Sequence, residues 1–257
     1  MRLVFHYAHF LLTCIGKISL FMKLLLISNS TMPGEPYLDY PKKEIRNFLG
    51  ENKINALFIP YAAVTFSFDL YESKVEERFA EIGHHITSIH HFSDPVEAVL
   101  NAEAIVVGGG NTWQLVRMMH DNRLMDAIRS KVKQGTPYIG WSAGSNVTCP
   151  TLQTTNDMPV IDPKGFDCME LVPFQINPHY LDANPEGHGG ETREQRIEEF
   201  LEVNPEITVV GLREGTMLKL ENNSLRMIGN RNARIFKKGE TPRELNSSNS
   251  FDFLLNC

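Results

Sequence analysis

The sequence predicts an α/β fold, a three-layer sandwich in which a mostly parallel central sheet is covered by helices on both faces. Short, nearly continuous apolar runs alternate with longer amphipathic stretches, as strands buried on both faces and their crossover helices require. Two glycine-rich segments each stand directly after one of those runs, at the sheet edge where strand carboxyl ends gather and where α/β proteins build their sites. A chain of 257 residues, 42% hydrophobic and 22% charged, is long enough to enclose one large core.

The buried runs are residues 24–28, 56–60, 86–90, 104–107 and 138–141, followed later by 207–211, 217–221 and 233–237. Helical patterns fill the gaps at 37–49, 71–82, 112–120 and 125–134, and a separate one covers 193–203. The chain therefore reads as one domain over residues 22–237, with no internal repeat. Residues 238–257 form a tail, with Asn-Ser-Ser-Asn-Ser at 246–250, that is expected to be poorly ordered. Residues 1–21 read as an N-terminal extension outside the fold. Arg2 precedes an apolar stretch interrupted by His6, Tyr7 and His9, without a small-x-small cleavage site and short of the ~20 apolar residues of a membrane span. Met22 stands directly before the first buried run, so Met1 and Met22 both remain open as starts.

A net charge of −6 argues against nucleic acid or an anionic membrane surface as a partner. Cys14, Cys149, Cys168 and Cys257 form no C-x-x-C pair, so neither a zinc knuckle nor a redox motif is present, and a reducing compartment, the cytoplasm, is expected. His84-His85 and His90-His91 flank one predicted strand. Adjacent strand residues point to opposite faces and no carboxylate motif accompanies them, so no metal site is expected there.

Gly140-Trp141-Ser142-Ala143-Gly144 is a G-x-S-x-G segment between a strand and a helix, the context of a nucleophile elbow. A serine hydroxyl needs a base, and His179 in Gln175-Ile176-Asn177-Pro178-His179 stands at the end of a strand, where it can face a cleft. Two carboxylates can orient that imidazole: Asp157, in a loop between Ser142 and His179, or Glu214, just past a later strand. Spacing does not choose between them. Gly108-Gly109-Gly110-Asn111-Thr112 has neither G-x-G-x-x-G spacing nor a Walker lysine, so it reads as part of an oxyanion hole, an N–H of Gly109 or Gly110 partnering that of Ala143. Arg193 and Arg196 occupy the first turn of the last helix against the dipole preference, where an arginine can clamp a carboxylate.

Together with Ser28-Asn29-Ser30-Thr31, Thr154-Thr155-Asn156-Asp157-Met158-Pro159 and the stretch from Glu186-Gly187-His188 to Arg196, these blocks run in order over residues 22–236 and resemble the peptidase E family of aspartyl dipeptidases. The resemblance implies a cytoplasmic serine peptidase that cleaves dipeptides beginning with aspartate and needs no metal or cofactor. The fold it implies is related to class I glutamine amidotransferases, with serine in place of their cysteine. It assigns Ser142 as nucleophile, His179 as base, Asp157 as acid with Glu214 as the alternative acid, and Arg193 as the residue that binds the substrate's aspartate side chain. A small peptide is the implied partner, acted on by a monomer or homodimer. The rival readings are a related hydrolase of cyanophycin-like or β-aspartyl peptides, and a non-catalytic binding protein of the amidotransferase fold.

Overall fold

The computed structural model describes residues 22–184, 186–187 and 189–256; the extension at 1–21 and His188 lie outside the described residues. Five parallel strands form the centre of the main sheet: β1 (Leu24–Ile27), β2 (Asn55–Ile59), β3 (His85–Ser88), β4 (Ile105–Val107) and β5 (Tyr138–Trp141). They lie in the order β3-β2-β4-β5-β1. Alternate strand residues face opposite layers. Leu25, Ile27, Phe58, Val106 and Trp141 pack under α1 (Lys42–Leu49) and α2 (Phe68–Glu81). Leu24, Leu26, Ile59, Ile105 and Val107 pack on the other side, against α3 (Pro95–Asn101), α4 (Thr112–Asp121) and α5 (Leu124–Lys133). This is the expected sandwich, and its physical basis is the two-residue strand period. After β2 the chain turns through α2 to β3; after β4 it turns through α4 and α5 to β5 on the opposite face. Between β2 and β4 lies a topological switch point, which opens a crevice at the strand carboxyl ends.

The second half of the chain adds β6 (Gln175–Tyr180), α7 (Arg193–Val203), β7 (Thr208–Arg213), β8 (Met217–Glu221), β9 (Ser224–Ile228), β10 (Ala233–Lys237) and β11 (Arg243–Leu245). A four-residue helical turn, α6 (Ala143–Asn146), follows β5. β8 and β9 extend the main sheet antiparallel beyond β1. Their hairpin turns on Asn222 and Asn223, both at positive φ (54° and 58°), the residue type such a turn tolerates. The other four strands form a second sheet, β11-β10-β7-β6, in which β6 and β7 are parallel. α7 covers it through Ile197 and Leu201, which pack on Tyr180, Val209 and Phe236.

Three expectations are corrected. The strand expected at 86–90 ends at Ser88, and His90 and His91 belong to a 3₁₀ turn, Ile89–His91, that brings their rings to 4.0 Å rather than to opposite faces. The helix expected from residue 37 begins at Lys42, after turns around Pro36 and Pro41. The tail is not a loose end: β11 pairs with β10, Phe251 and Leu254 are fully buried, and the Phe251 N–H donates to Leu225 O at 3.2 Å. Phe251 belongs to the same buried core cluster as Leu225 and Met227 of β9. Phe251→Ala should therefore lower the unfolding free energy by about 3–5 kcal/mol in urea denaturation. An unchanged midpoint would mean that the tail does not contribute to the core.

Candidate active site

Ser142 sits immediately after β5 with φ 53° and ψ −112°, a conformation non-glycine residues avoid. Such strain costs roughly 1–3 kcal/mol and persists only where the surroundings over-determine it. Here the Ser142 N–H donates to Ile27 O at the end of β1, and the N–H groups of Ser145 and Asn146 donate to Ser142 O, each at 3.0 Å. Ser145 Oγ bonds Ile27 O at 2.7 Å and Gly140 O at 2.9 Å, while Tyr138 Oη donates to Gly144 O at 2.6 Å. At about 1 kcal/mol net per bond, this set outweighs the strain. The glycines are a steric requirement: a Cβ on Gly144 would lie 2.1 Å from Val107 O.

His179 reaches Ser142 because β6 and β7 run parallel and end together. The pairing shifts register between Pro178 and Tyr180, and His179 takes a positive φ of 53° at that irregularity. Glu214 follows the last residue of β7, so the two side chains emerge next to each other. His179 Nε2 lies 3.1 Å from Ser142 Oγ, and Nδ1 lies 2.7 Å from Glu214 Oε1. A Glu214 carboxylate requires the proton on Nδ1, leaving Nε2 to accept from the serine hydroxyl.

Two residues from the segment after β1 hold this geometry. The buried Ser28 hydroxyl accepts from the His179 N–H at 3.0 Å and donates to Leu212 O at 2.7 Å. Asn29 Oδ1 accepts from the Gly215 N–H at 2.9 Å and from Tyr40 Oη at 2.7 Å, fixing the turn that carries Glu214. Arg213, next to Glu214, pairs with other carboxylates: Glu244 of β11 binds its guanidinium at 2.8 and 2.9 Å and Asp182 binds it as well. Those hydrogen bonds raise its pKa above the ordinary arginine value. The chain beyond residue 236 thus contributes to the site.

Asp157 does not meet His179. Its Oδ2 accepts from the Thr112 N–H at 2.8 Å, Thr112 Oγ1 at 2.6 Å and Thr155 Oγ1 at 3.0 Å, at the start of α4. It nevertheless lines the same cleft as Ser142 and His179, a space of about 520 Å³ whose walls include Gly109, Gly110, Tyr37, Tyr71 and Lys74. Tyr71 Oη donates to Gly109 O at 2.8 Å and so fixes the Gly109–Gly110 peptide. Burial pushes the Tyr71 hydroxyl up to about 12, keeping it a neutral donor. Gly110, at φ 136°, packs so closely that a Cβ would lie 2.3 Å from Ala62 O.

Arg193 opens α7 behind a capping box in which Thr192 and Gln195 bond each other's backbone. It is half-buried, and its guanidinium forms no hydrogen bond or salt bridge with another described residue. Burial chiefly, and the charge of Arg196, lower its pKa, while Asp157 opposes that shift. Arg193 thus stands within the field of the cleft without lining it. Cys149 and Cys168 are buried, burial pushing the Cys149 thiol up to about 12, so neither offers a thiolate to the cleft. Among the cleft residues, Lys74, whose ammonium lies 5.6 Å from the Phe66 ring, carried no sequence signal; it stands in an ordinary amphipathic helix.

A serine on a strained strand-to-helix turn, bonded to a histidine that a carboxylate holds, within an α/β sandwich, defines a hydrolase of the serine type. The chain belongs to peptidase family S51, whose profile matches residues 24–228, and is thereby a serine-type peptidase. It is 54% identical over 233 residues to peptidase E of Nostoc sp., covering 91% of this chain and 96% of that protein. To peptidase E of Salmonella typhimurium it is 47% identical over 230 residues, covering 90% of this chain and all (100%) of that one. Among solved structures, a peptidase from an acI-B1 actinobacterium superposes with a TM-score of 0.66 at 16% identity, covering 90% of this chain and 96% of that one, a likeness of fold. Among the described residues no helix is long and apolar enough to cross a membrane.

Ser28→Ala removes the hydroxyl that joins His179, β1 and β7 and leaves a buried N–H and C=O unpaired. It should cost about 1–3 kcal/mol in unfolding free energy and lower kcat more than it raises KM. A variant that keeps full stability and kcat would show that Ser28 does not position His179.

Proposed function

We propose that this peptidase hydrolyses dipeptides with an N-terminal aspartate, with Ser142 as nucleophile, His179 as general base and Glu214 as the acid that orients it. The observation that carries this assignment is the unbroken pair of contacts, 3.1 Å from Ser142 Oγ to His179 Nε2 and 2.7 Å from His179 Nδ1 to Glu214 Oε1. The two relatives named peptidase E support the dipeptidase reading.

Ser142 Oγ attacks the carbonyl carbon of the aspartyl residue while its proton passes to His179 Nε2. Glu214 stabilises the resulting imidazolium through Nδ1–H. The oxyanion accepts from the Ala143 N–H and from the Gly109 or Gly110 N–H, groups that the elbow and Tyr71 hold in place before substrate arrives. Collapse breaks the C–N bond, His179 protonates the departing amine, and a water molecule then hydrolyses the acyl-enzyme by the same path.

Asp157 takes a different part. A carboxylate fixed by Thr112 and Thr155 on the cleft wall provides the negative charge that an N-terminal ammonium needs next to the scissile bond. Arg193, half-buried and without a carboxylate partner among the described residues, supplies the charge for the aspartate side chain. An apolar residue in that place would leave the guanidinium unpaired, which is how selectivity arises.

The purified protein should cleave Asp-Leu in preference to Ala-Leu and β-Asp-Leu, and Ser142→Ala should abolish turnover. Cleavage of β-Asp-Leu instead would move the activity to β-linked peptides. Glu214→Gln should lower kcat by about 10²–10⁴ with little change in KM, whereas Asp157→Asn should act mainly on KM. The reverse pattern would make Asp157 the orienting acid. Arg193→Ala should damage cleavage of Asp-Leu far more than residual cleavage of Ala-Leu, and equal losses would refute the specificity role.

A further inference from the structure

We propose that Asp69, Glu72, His90 and His91 form a binding site for a divalent transition-metal ion of the zinc class, clamping the first turn of α2 to the 3₁₀ turn after β3. None of the four lines the catalytic cleft, so the inference does not depend on the proposed function. Each offers one ligand atom, and the four atoms all lie within 4.8 Å of one another. His90 Nε2 is 3.0 Å from Asp69 Oδ1, and His91 Nε2 is 2.6 Å from Glu72 Oε2. Two imidazole nitrogens and two carboxylate oxygens are the donors of a four-coordinate zinc site, with bonds of about 2.0–2.2 Å, and the spacing closes to that geometry with small rotations of the side chains.

Two unconnected ion pairs would account for the close contacts alone. They would not account for the arrangement behind them. The buried Ser88 serves both pairs: its hydroxyl lies 2.6 Å from His90 Nδ1, and its backbone N–H donates to Glu72 Oε1 at 2.7 Å. Ser88 thus occupies the far atom of each ligand, leaving His90 Nε2 to face Asp69 and Glu72 Oε2 to face His91, and it ties the two pairs together. Metal-bound histidines are held in this way, the remaining ring nitrogen donating to an oxygen that fixes the tautomer. Because a hydroxyl both donates and accepts, Ser88 can donate to Nδ1 in the metal-free protein. It can accept from Nδ1–H once Nε2 holds the ion. The Phe68 ring, 5.6 Å from that of His90, covers one side. The ring-to-ring approach of His90 and His91, centroids 4.0 Å apart, brings two adjacent residues to one side, which a strand would forbid and the 3₁₀ turn allows.

The consequence falls on α2, whose Tyr71 and Lys74 line the cleft. An ion held by Asp69 and Glu72 of that helix and by His90 and His91 of the 3₁₀ turn would fasten the helix start to the turn that ends β3.

Untagged full-length protein, stripped with EDTA, is titrated with ZnCl₂ by isothermal calorimetry and with CoCl₂ by visible absorption. His91→Gln and Asp69→Asn serve as comparisons; the Asp69 side chain is largely exposed and that of His91 about half exposed, and neither belongs to the core. The wild type is expected to take up one equivalent of Zn²⁺, to show the intense bands of four-coordinate Co²⁺, and to gain thermal stability with Zn²⁺. Each variant, and Ser88→Ala, should bind about 10–100-fold more weakly. Absence of Zn²⁺ binding by the wild type, equal affinity in the variants, or equally tight binding of Mg²⁺ would each overturn the site as assigned.

Discussion

The close approach of three strand ends governs this molecule. β1 and β5 are parallel neighbours, β4 lies on the other side of β5, and the turn after β5 folds back so tightly that the Gly144 backbone rests on the carbonyl of Val107. Only glycine at that point, and the hydrogen bonds from Ser142 and Ser145 to Ile27 O, allow the chain to pass through the Ser142 conformation at all. The same contacts lift the hydroxyl out of the sheet edge and set the Ala143 N–H beside it. The positions of the Ser142 hydroxyl and the Ala143 N–H, the nucleophile and an oxyanion donor in the function we propose, therefore follow from how closely strands can pack.

The second sheet completes what the first begins. Parallel pairing of β6 with β7 brings the penultimate residue of one strand next to the residue that follows the other, which is why His179 and Glu214 meet across 35 positions of sequence. The segment after β1 ties the two sheets together: Ser28 bonds the backbone of His179 and of Leu212, and Asn29 bonds the backbone of Gly215. These bonds fix the backbone on either side of the His179–Glu214 contact.

Charge is arranged around the cleft with comparable economy. Arg213 precedes Glu214 directly, but its guanidinium is paired with Asp182 and Glu244. Glu244 belongs to β11, in a stretch whose Asn-Ser-Ser-Asn-Ser composition reads as tail. Its order comes from β10 and from the burial of Phe251, neither of which is a local property of the segment.

The sequence by itself determined the sandwich, the elbow and the histidine, because each is written locally. Continuous apolar runs such as Leu24–Ile27 mark strands buried on both faces, and glycines two positions either side of Ser142 mark a turn. β6 was legible only at its end, since Gln175, Asn177 and Pro178 break the apolar pattern and are buried by the contacts of two sheets rather than by their own hydrophobicity. β9 alternates exposed and buried residues, half a signal, and gains its place from pairing with β8. The choice between Asp157 and Glu214 as partner of His179 belonged wholly to the tertiary structure. Both are loop carboxylates near strand ends, and what separates them is which strand runs beside β6. That is β7, so Glu214 reaches the imidazole, while Asp157 is engaged by Thr112 and Thr155 at the start of α4. A side-chain contact between distant positions is fixed by the order and direction of strands, and no pattern within either segment encodes that order.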